Sequence, residues 1–273
     1  MGVTSTNSNF LHLPPQFKLK PPRGILLYGP PGCAKTTLAK ACANAANVAF
    51  MTLTPADVYA APYVGDAEAV VRRAFKTARV GRPCVLFFDE IDSIVGGAED
   101  NNEGGSTGMG GRGDGKGPVA RVMSTFLNEM DGVDIVGDDG VLVLGATNRP
   151  NVLDAALLRA GRFDKVVYVG PPDLEGRKIV FKIHGKALEG LEGEGVLEEL
   201  ANMTEDFTGA EIEGVCRAVT LELLFEEVDG GGEKGRGVVE RFQDACGAVK
   251  PIMRDNGTTR EYEIFKKQRG GGV

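Results

Sequence analysis

From Gly24 to Val169 the chain alternates short apolar runs with longer stretches in which apolar residues recur at helical spacing. The runs Gly24–Tyr28 (GILLY), Val48–Leu53, Cys84–Phe88 (CVLFF), Val141–Ala146 and Lys165–Val169 are β-branched or aromatic and bounded by turn residues, which predicts strands. Between them, Lys35–Ala46, Asp66–Val80 and Val119–Met130 predict helices. Near-continuous apolar strands alternating with helices imply a parallel sheet covered on both faces, because a strand with one wet face would alternate polar and apolar positions. Beyond Gly170-Pro171-Pro172 the pattern is helical, over Glu175–Ala187, Val196–Met203, Ala210–Glu227 and Val239–Ala248. The expectation is an α/β domain over 24–170 with helices on both faces of its sheet, then a small all-helical domain over 171–267.

Three stretches break this order. Gly96–Gly117 holds ten glycines among Asp, Asn and Ser, Gly230–Gly237 holds five more, and Gly270–Gly272 nearly ends the chain. Such segments cannot bury a core and are expected to be flexible, as are the polar N-terminal segment 1–23 and the tail 268–273. They account for most of the one compositional anomaly, 39 glycines in 273 residues. The remaining composition, 42% hydrophobic and 25% charged, is that of an ordinary globular protein. Tryptophan is absent and aromatics reach only 7%, which argues against an aromatic nucleic-acid or carbohydrate platform. A net charge of −7 opposes bulk attraction to nucleic acid. No apolar run approaches the roughly 18–20 residues of a membrane span, and Met1–Ser5 lacks the basic flank and apolar core of a signal peptide. Five cysteines without a C-x-x-C pair read as reduced thiols, so the expected location is cytoplasmic or nuclear. Two histidines, His12 and His184, rule out a histidine-rich metal site.

The first predicted strand runs into Gly29-Pro30-Pro31-Gly32-Cys33-Ala34-Lys35-Thr36-Thr37, which nearly fits G-x-x-x-x-G-K-[ST] and opens a helix. Backbone N–H groups wrapped around phosphates, a helix N-terminus aimed at them and a lysine charge are what nucleotide binding requires. Lys35 would take the β- and γ-phosphates and the Thr36 hydroxyl would ligate Mg²⁺. A chance glycine turn is the alternative, and the strand-loop-helix context weighs against it. Ala34 stands where the pattern has glycine; because it leads into a helix, a right-handed backbone is expected there at little cost. Cys33 has two readings, a thiol activated by the helix N-terminus or a small residue that fits, the second being the commoner case.

The third strand ends in Phe87-Phe88-Asp89-Glu90-Ile91-Asp92, so Asp89 and Glu90 lie at the carboxyl end of a buried strand, where open α/β sheets bind ligands. Asp89 would hold Mg²⁺ through water, and Glu90 would polarise the water that attacks the γ-phosphate. The competing reading is a solvated strand end. Asn148, in Gly145-Ala146-Thr147-Asn148, is either a group that orients that water or the cap of a turn at Pro150.

Together, Gly29–Thr36, Asp89–Asp92, Gly145–Pro150 and Leu157–Asp164 (LLRAGRFD) resemble the classical AAA ATPases. The last two stretches resemble the region that separates that family from other P-loop NTPases, and the likeness runs from Pro14 to Lys267. Within the family the chain looks most like the valosin-containing-protein branch. GPPGCAKTT, Tyr63–Asp66 and the tail Val249–Pro251 with Tyr262–Lys267 resemble the second ATPase module of the spermatogenesis-associated-protein-like ribosome-maturation ATPases.

The resemblance implies a P-loop NTPase domain with a helical lid, using ATP and Mg²⁺. It implies that Arg159 and Arg162 are arginine fingers reaching a neighbouring subunit's nucleotide, with Ala160 where the family has proline. Tyr63, Val64 and Gly65 match the pore loop that grips polypeptide, and Glu129–Gly132 matches the intersubunit signalling segment. His184 matches a contact to adenosine, and Thr208-Gly209-Ala210-Glu211 matches the lid turn beside it, with Gly209 and Ala210 toward the nucleotide. Gly96–Gly117 falls where the family carries its second pore-facing loop. The implied partners are the other subunits of a homo- or hetero-oligomeric ring, a hexamer, and a protein client; no membrane is implied, and nucleic acid only indirectly through ribosomal particles.

The leading expectation is therefore an ATP-hydrolysing protein-remodelling motor in ribosome maturation or protein quality control. The alternative is a nucleotide-binding scaffold with little turnover. It is motivated by Ala34, Ala160 and the short polar stretch before Gly29, which reads as one module of a larger protein or a truncated product. A zinc protease of the same family is excluded by the lack of H-E-x-x-H. The Gly-Gly-Gly-Val end lacks the hydrophobic-Tyr-x signature of proteasome-docking subunits.

Overall fold

Five strands, β1 (Gly24–Tyr28), β2 (Ala49–Leu53), β3 (Cys84–Phe88), β4 (Val141–Thr147) and β5 (Phe163–Tyr168), form one parallel sheet in the order β2-β3-β4-β1-β5. The computed structural model describes residues 22–60, 63, 65–96, 118–133, 140–186, 188, 191, 193–229 and 237–268. The flexibility expected of 1–21, 97–117, 230–236 and 269–273 concerns residues outside that set, as does the pore-loop reading of Val64.

Strand side chains alternate between two cores. Leu26, Leu86, Phe88, Val141, Val143 and Phe163 face one way. There they meet α2 (Pro55–Tyr59), α3 (Asp66–Val80), α4 (Ile91–Val95) and α5 (Pro118–Asp131). Phe75, Phe88 and Phe126 are mutually edge-packed or tilted at its centre. Leu27, Val85, Phe87, Leu144 and Ala146 face the other way, onto Ala39 and Ala43 of α1 (Lys35–Ala45). Among the described residues α1 covers that face alone, beside an open apolar cleft of about 720 Å³ lined by Ile25, Leu38, Cys42, Val85 and Leu142.

The chain leaves β1 for β2 at the far edge and returns through β3 and β4. The carboxyl ends of β1, β3 and β4 therefore lie side by side, the crevice geometry of open α/β sheets.

Helices α6 (Leu174–His184), α7 (Glu194–Met203), α8 (Gly209–Asp229) and α9 (Val238–Ala248) share a separate core around Phe181, Leu200, Ile212, Val219 and Phe242. Buried Arg241 of α9 ties to Glu222 and Glu226 of α8, both at 2.7 Å.

Within the helical segment expected over 171–267, the last helix, α10 (Asn256–Gln268), packs on the α/β domain and not in that core. Tyr262 and Phe265 bury against Tyr28, with Phe265 edge-on at 4.9 Å between ring centroids. The reason is local: these aromatics, on one face of an otherwise polar helix, match the apolar spot at the end of β1. No helix among the described residues is long and apolar enough to cross a membrane.

Candidate active site

The loop after β1 needs glycine where the backbone has no room. Gly29 has φ +150°, and a Cβ there would collide with the Val169 carbonyl; Gly32 has φ +78°, and its Cβ would lie 2.7 Å from the Ala210 methyl. Ala34 is left-handed too, with φ 57° and ψ 29°. The right-handed backbone expected there is thus overturned. Ala34 is the N-cap, not the first helical residue. Left-handed residues at 32 and 34 curl the loop so that successive N–H groups can converge.

Lys35, buried at the start of α1, donates from Nζ to the Gly29 and Pro30 carbonyls, both at 2.8 Å. Pro30 is buried, whereas Pro31 and Thr37 are exposed on the loop and the first turn. Burial pushes the Lys35 ammonium below its ordinary value, partly offset by Cys33, Asp89 and Asp92. The neighbouring Cys33 is buried, and desolvation pushes its thiol up to about 11, opposed by Lys35. Of its two readings, the small residue that fits is the one the structure supports.

The ends of β1, β3 and β4 are cross-tied by short side-chain bonds. The Thr36 hydroxyl donates to Asp89 Oδ2 at 2.7 Å, joining α1 to β3. The Thr147 hydroxyl donates to Asp92 Oδ1 at 2.7 Å, joining β4 to α4, and accepts from the Arg149 N–H at 2.9 Å. Glu90 is left-handed at φ 47°, which marks a constrained turn, and its N–H donates to Asp89 Oδ1 at 3.1 Å. Asn148 follows β4 directly; its Oδ1 is buried with no hydrogen-bond partner, and its backbone carbonyl accepts the Tyr262 hydroxyl at 2.7 Å.

Among the described residues, the start of α8 reaches this crevice. The Ala210 N–H donates to the Gly32 carbonyl at 3.1 Å, and a Cβ on Gly209 would come 3.2 Å from the same oxygen. Thr208 and Glu211 cap α8 reciprocally there. His184 ends α6 and opens onto a cleft of about 250 Å³ shared with Glu213, Cys216 and Arg217. Glu213 lies about one turn beyond Ala210 on α8, so one helix carries both the phosphate-loop contact and a wall of this cleft.

The remaining expected residues lie away from the crevice. Arg159 is exposed, whereas Arg162 is bound to Asp131 and to the Ala156 carbonyl. Tyr63 is 77% exposed ahead of α3, and Gly65, two residues on, has φ +96°. In the sequence, Asp92, Thr147, Glu211 and Tyr262 carry no individual role; each lies only within a stretch that bears the resemblance, Asp89–Asp92, Gly145–Pro150, Thr208–Glu211 and Tyr262–Lys267.

Residues 25–171 match the family described as ATPase family associated with various cellular activities (AAA), and residues 196–230 match the AAA+ lid domain. Over 251 residues the chain is 41% identical to Cell division control protein 48 homolog B of Arabidopsis thaliana, covering 92% of this chain and 38% of that protein. Over 268 residues it is 39% identical to ATPase family gene 2 protein homolog B of Rattus norvegicus, covering 92% and 34%. The crystal structure of the FIGL-1 AAA domain in complex with ADP is similar with a TM-score of 0.73 at 28% identity, covering 92% of this chain and 80% of that one. The chain therefore spans between 34% and 38% of the length of the two curated relatives.

Proposed function

The chain belongs to the AAA family of ATPases, and from that premise we propose that it hydrolyses ATP to remodel protein clients as one subunit of a hexameric ring. Its relatives are of the valosin-containing-protein branch and the ATPase family gene 2 kind. Ribosome maturation or protein quality control is the setting this reading favours.

The observation that carries the proposal is the 2.7 Å contact between the Thr36 hydroxyl and Asp89 Oδ2, beside buried Lys35. Two hard oxygens from different elements meeting at one point suit Mg²⁺, which takes few protein ligands and completes its shell with phosphate and water. When bound, Mg²⁺ would neutralise charge on the β- and γ-phosphates. The loop N–H groups and the Lys35 ammonium would hold those phosphates, with Lys35 giving up its two carbonyl contacts to do so. Glu90, next to Asp89, would accept a proton from the attacking water, and Asn148 would orient that water. Arg159 from a neighbouring subunit would stabilise the charge on the transferring group. Ala210 and Gly209 against Gly32 would transmit nucleotide state to the lid, and exposed Tyr63 would grip the client.

One observation favours the scaffold reading: Ala34 holds a left-handed conformation that glycine would adopt more easily. Phosphate release measured against protein concentration separates the two. The motor predicts turnover that rises cooperatively as rings form, and Glu90→Gln that binds ATP without hydrolysing it. A flat, negligible rate across concentration with intact binding would support the scaffold.

A further inference from the structure

We propose that Tyr262 is a positioning residue for hydrolysis: its hydroxyl fixes the backbone at Asn148 and thereby the direction of the Asn148 amide. The inference rests on the reading of Asn148 as the group that orients the attacking water.

One end of the Asn148 amide is unanchored. Its Oδ1 is buried with no hydrogen-bond partner, so no bond at that atom sets the side chain's direction. The backbone that carries the side chain is fixed, because the Tyr262 hydroxyl donates to the Asn148 carbonyl at 2.7 Å across 114 residues of sequence. The donor is itself rigidly placed. The Tyr262 ring is buried against Tyr28, the last residue of β1 before Gly29, with Phe265 of the same helix packed edge-on to Tyr28. Burial pushes the Tyr262 phenol up to about 12, so it remains a donor throughout the working range.

The segment carrying Tyr262 is also anchored at its other end. The Ile252 N–H donates to Glu211 Oε1 at 2.8 Å, and the same carboxylate caps α8 through Thr208. Ala210, next to Glu211, contacts the Gly32 carbonyl of the phosphate loop. Residues 252–262 therefore connect the lid's contact with the phosphate loop to Asn148. A lid displaced by a change of nucleotide would pull on Glu211 and Ile252, and through α10 on the Tyr262–Asn148 bond.

The test uses Tyr262→Phe, Asn148→Ala and the double variant in the full chain. The readouts are kcat and KM for ATP, affinity for a non-hydrolysed ATP analogue, and Tm. Tyr262→Phe keeps the ring packing and removes the hydroxyl. We expect kcat to fall about three- to tenfold with KM and analogue affinity unchanged. In the Asn148→Ala background the same change should have no further effect on kcat. A lower Tm with unchanged kcat, or equal effects on kcat in both backgrounds, would overturn the positioning role. Unchanged turnover in Asn148→Ala alone would overturn the reading of Asn148 instead.

Discussion

Arg162 grips Asp131 with two parallel bonds, Nε to Oδ1 and Nη2 to Oδ2, each 2.9 Å, while its Nη1 donates to the Ala156 carbonyl at 2.8 Å. The two arginines of LLRAGRFD thus differ: Arg162 is tied within its own chain, and Arg159 is exposed. The pair also holds the Asp131 carboxyl below its ordinary range, chiefly through the hydrogen bond from Arg162. Its contribution is therefore present above the ordinary aspartate value and lost as pH falls through the depressed one.

Arg162→Ala and Asp131→Asn should each lower Tm by about 2–4 °C, because the pair is bidentate but half-exposed. Arg159→Ala should leave Tm within about 1 °C and abolish turnover in the ring. Subunits carrying Arg159→Ala have an intact site, and Glu90→Gln subunits have an intact finger, so a mixture of the two should be more active than either alone. Equal loss of Tm in Arg159→Ala, or a mixture as inactive as its parts, would refute this division.

The left-handed backbone of Ala34 gives a second prediction. Relative to glycine an alanine there loses about 1 kcal/mol, offset in part by its less flexible unfolded chain. Ala34→Gly should therefore raise Tm slightly, by about 1–3 °C, and tighten ATP binding by relaxing the loop. Ala34→Val, which adds a branched Cβ in the same conformation, should lower both. A fall in Tm and affinity for Ala34→Gly would show that the backbone is not strained at this position.

Ala34 also shows what a periodic pattern does not carry. The central strands are legible because buried strands are continuous apolar runs, and CVLFF at β3 is buried at every residue, whereas the edge strands β2 and β5 are mostly not buried. The N-cap conformation is not legible, since periodicity reports which face a residue occupies and says nothing of φ. Helices α2 and α4, five residues each, are too short to display a period. Helix α6 was expected to reach Ala187 but stops at His184, where Gly185 caps it. Helix α10 was hidden because it buries a single aromatic face on a distant strand end. At the site, Lys35, Thr36, Asp89 and Glu90 were legible from local motif spacing. The ties Thr147–Asp92 and Tyr262–Asn148 join residues 55 and 114 positions apart and leave no local pattern.

The cysteines predict a pH profile. Burial pushes Cys33 and Cys246 up to about 11 and Cys216 up to about 12, so each remains a protonated thiol in the folded state near neutrality. An alkylating reagent at pH 7.5 should label exposed Cys42 first, with Cys33 at least tenfold slower by peptide mass spectrometry. In the unfolded chain these thiols ionise near pH ~8.5. The folded state then holds more protons, and stability should decline from that pH up toward 11. Rapid labelling of Cys33 at pH 7.5, or a Tm independent of pH over that window, would contradict the burial.

Tyr63 supplies the sharpest separation of chemistry from mechanical work. It is 77% exposed, so it contributes little to the core, and Gly65, two residues on, has φ +96° with no atom within 4 Å of a built Cβ. Tyr63→Ala should leave Tm unchanged and basal ATP turnover within about twofold, since nothing at the Thr36–Asp89 crevice depends on it. Stimulation of turnover by an unfolded protein such as casein should disappear. Tyr63→Phe should retain it, because grip on an arbitrary polypeptide comes from the ring's apolar area and not from a hydroxyl bond. Gly65→Ala would strain the positive φ without meeting a neighbour, so its expected effect is a stiffer loop with reduced stimulation and intact basal hydrolysis. If Tyr63→Ala instead removed basal turnover, Tyr63 would belong to the hydrolytic site. If stimulation by casein survived in Tyr63→Ala, the ring would not be the part that grips the client.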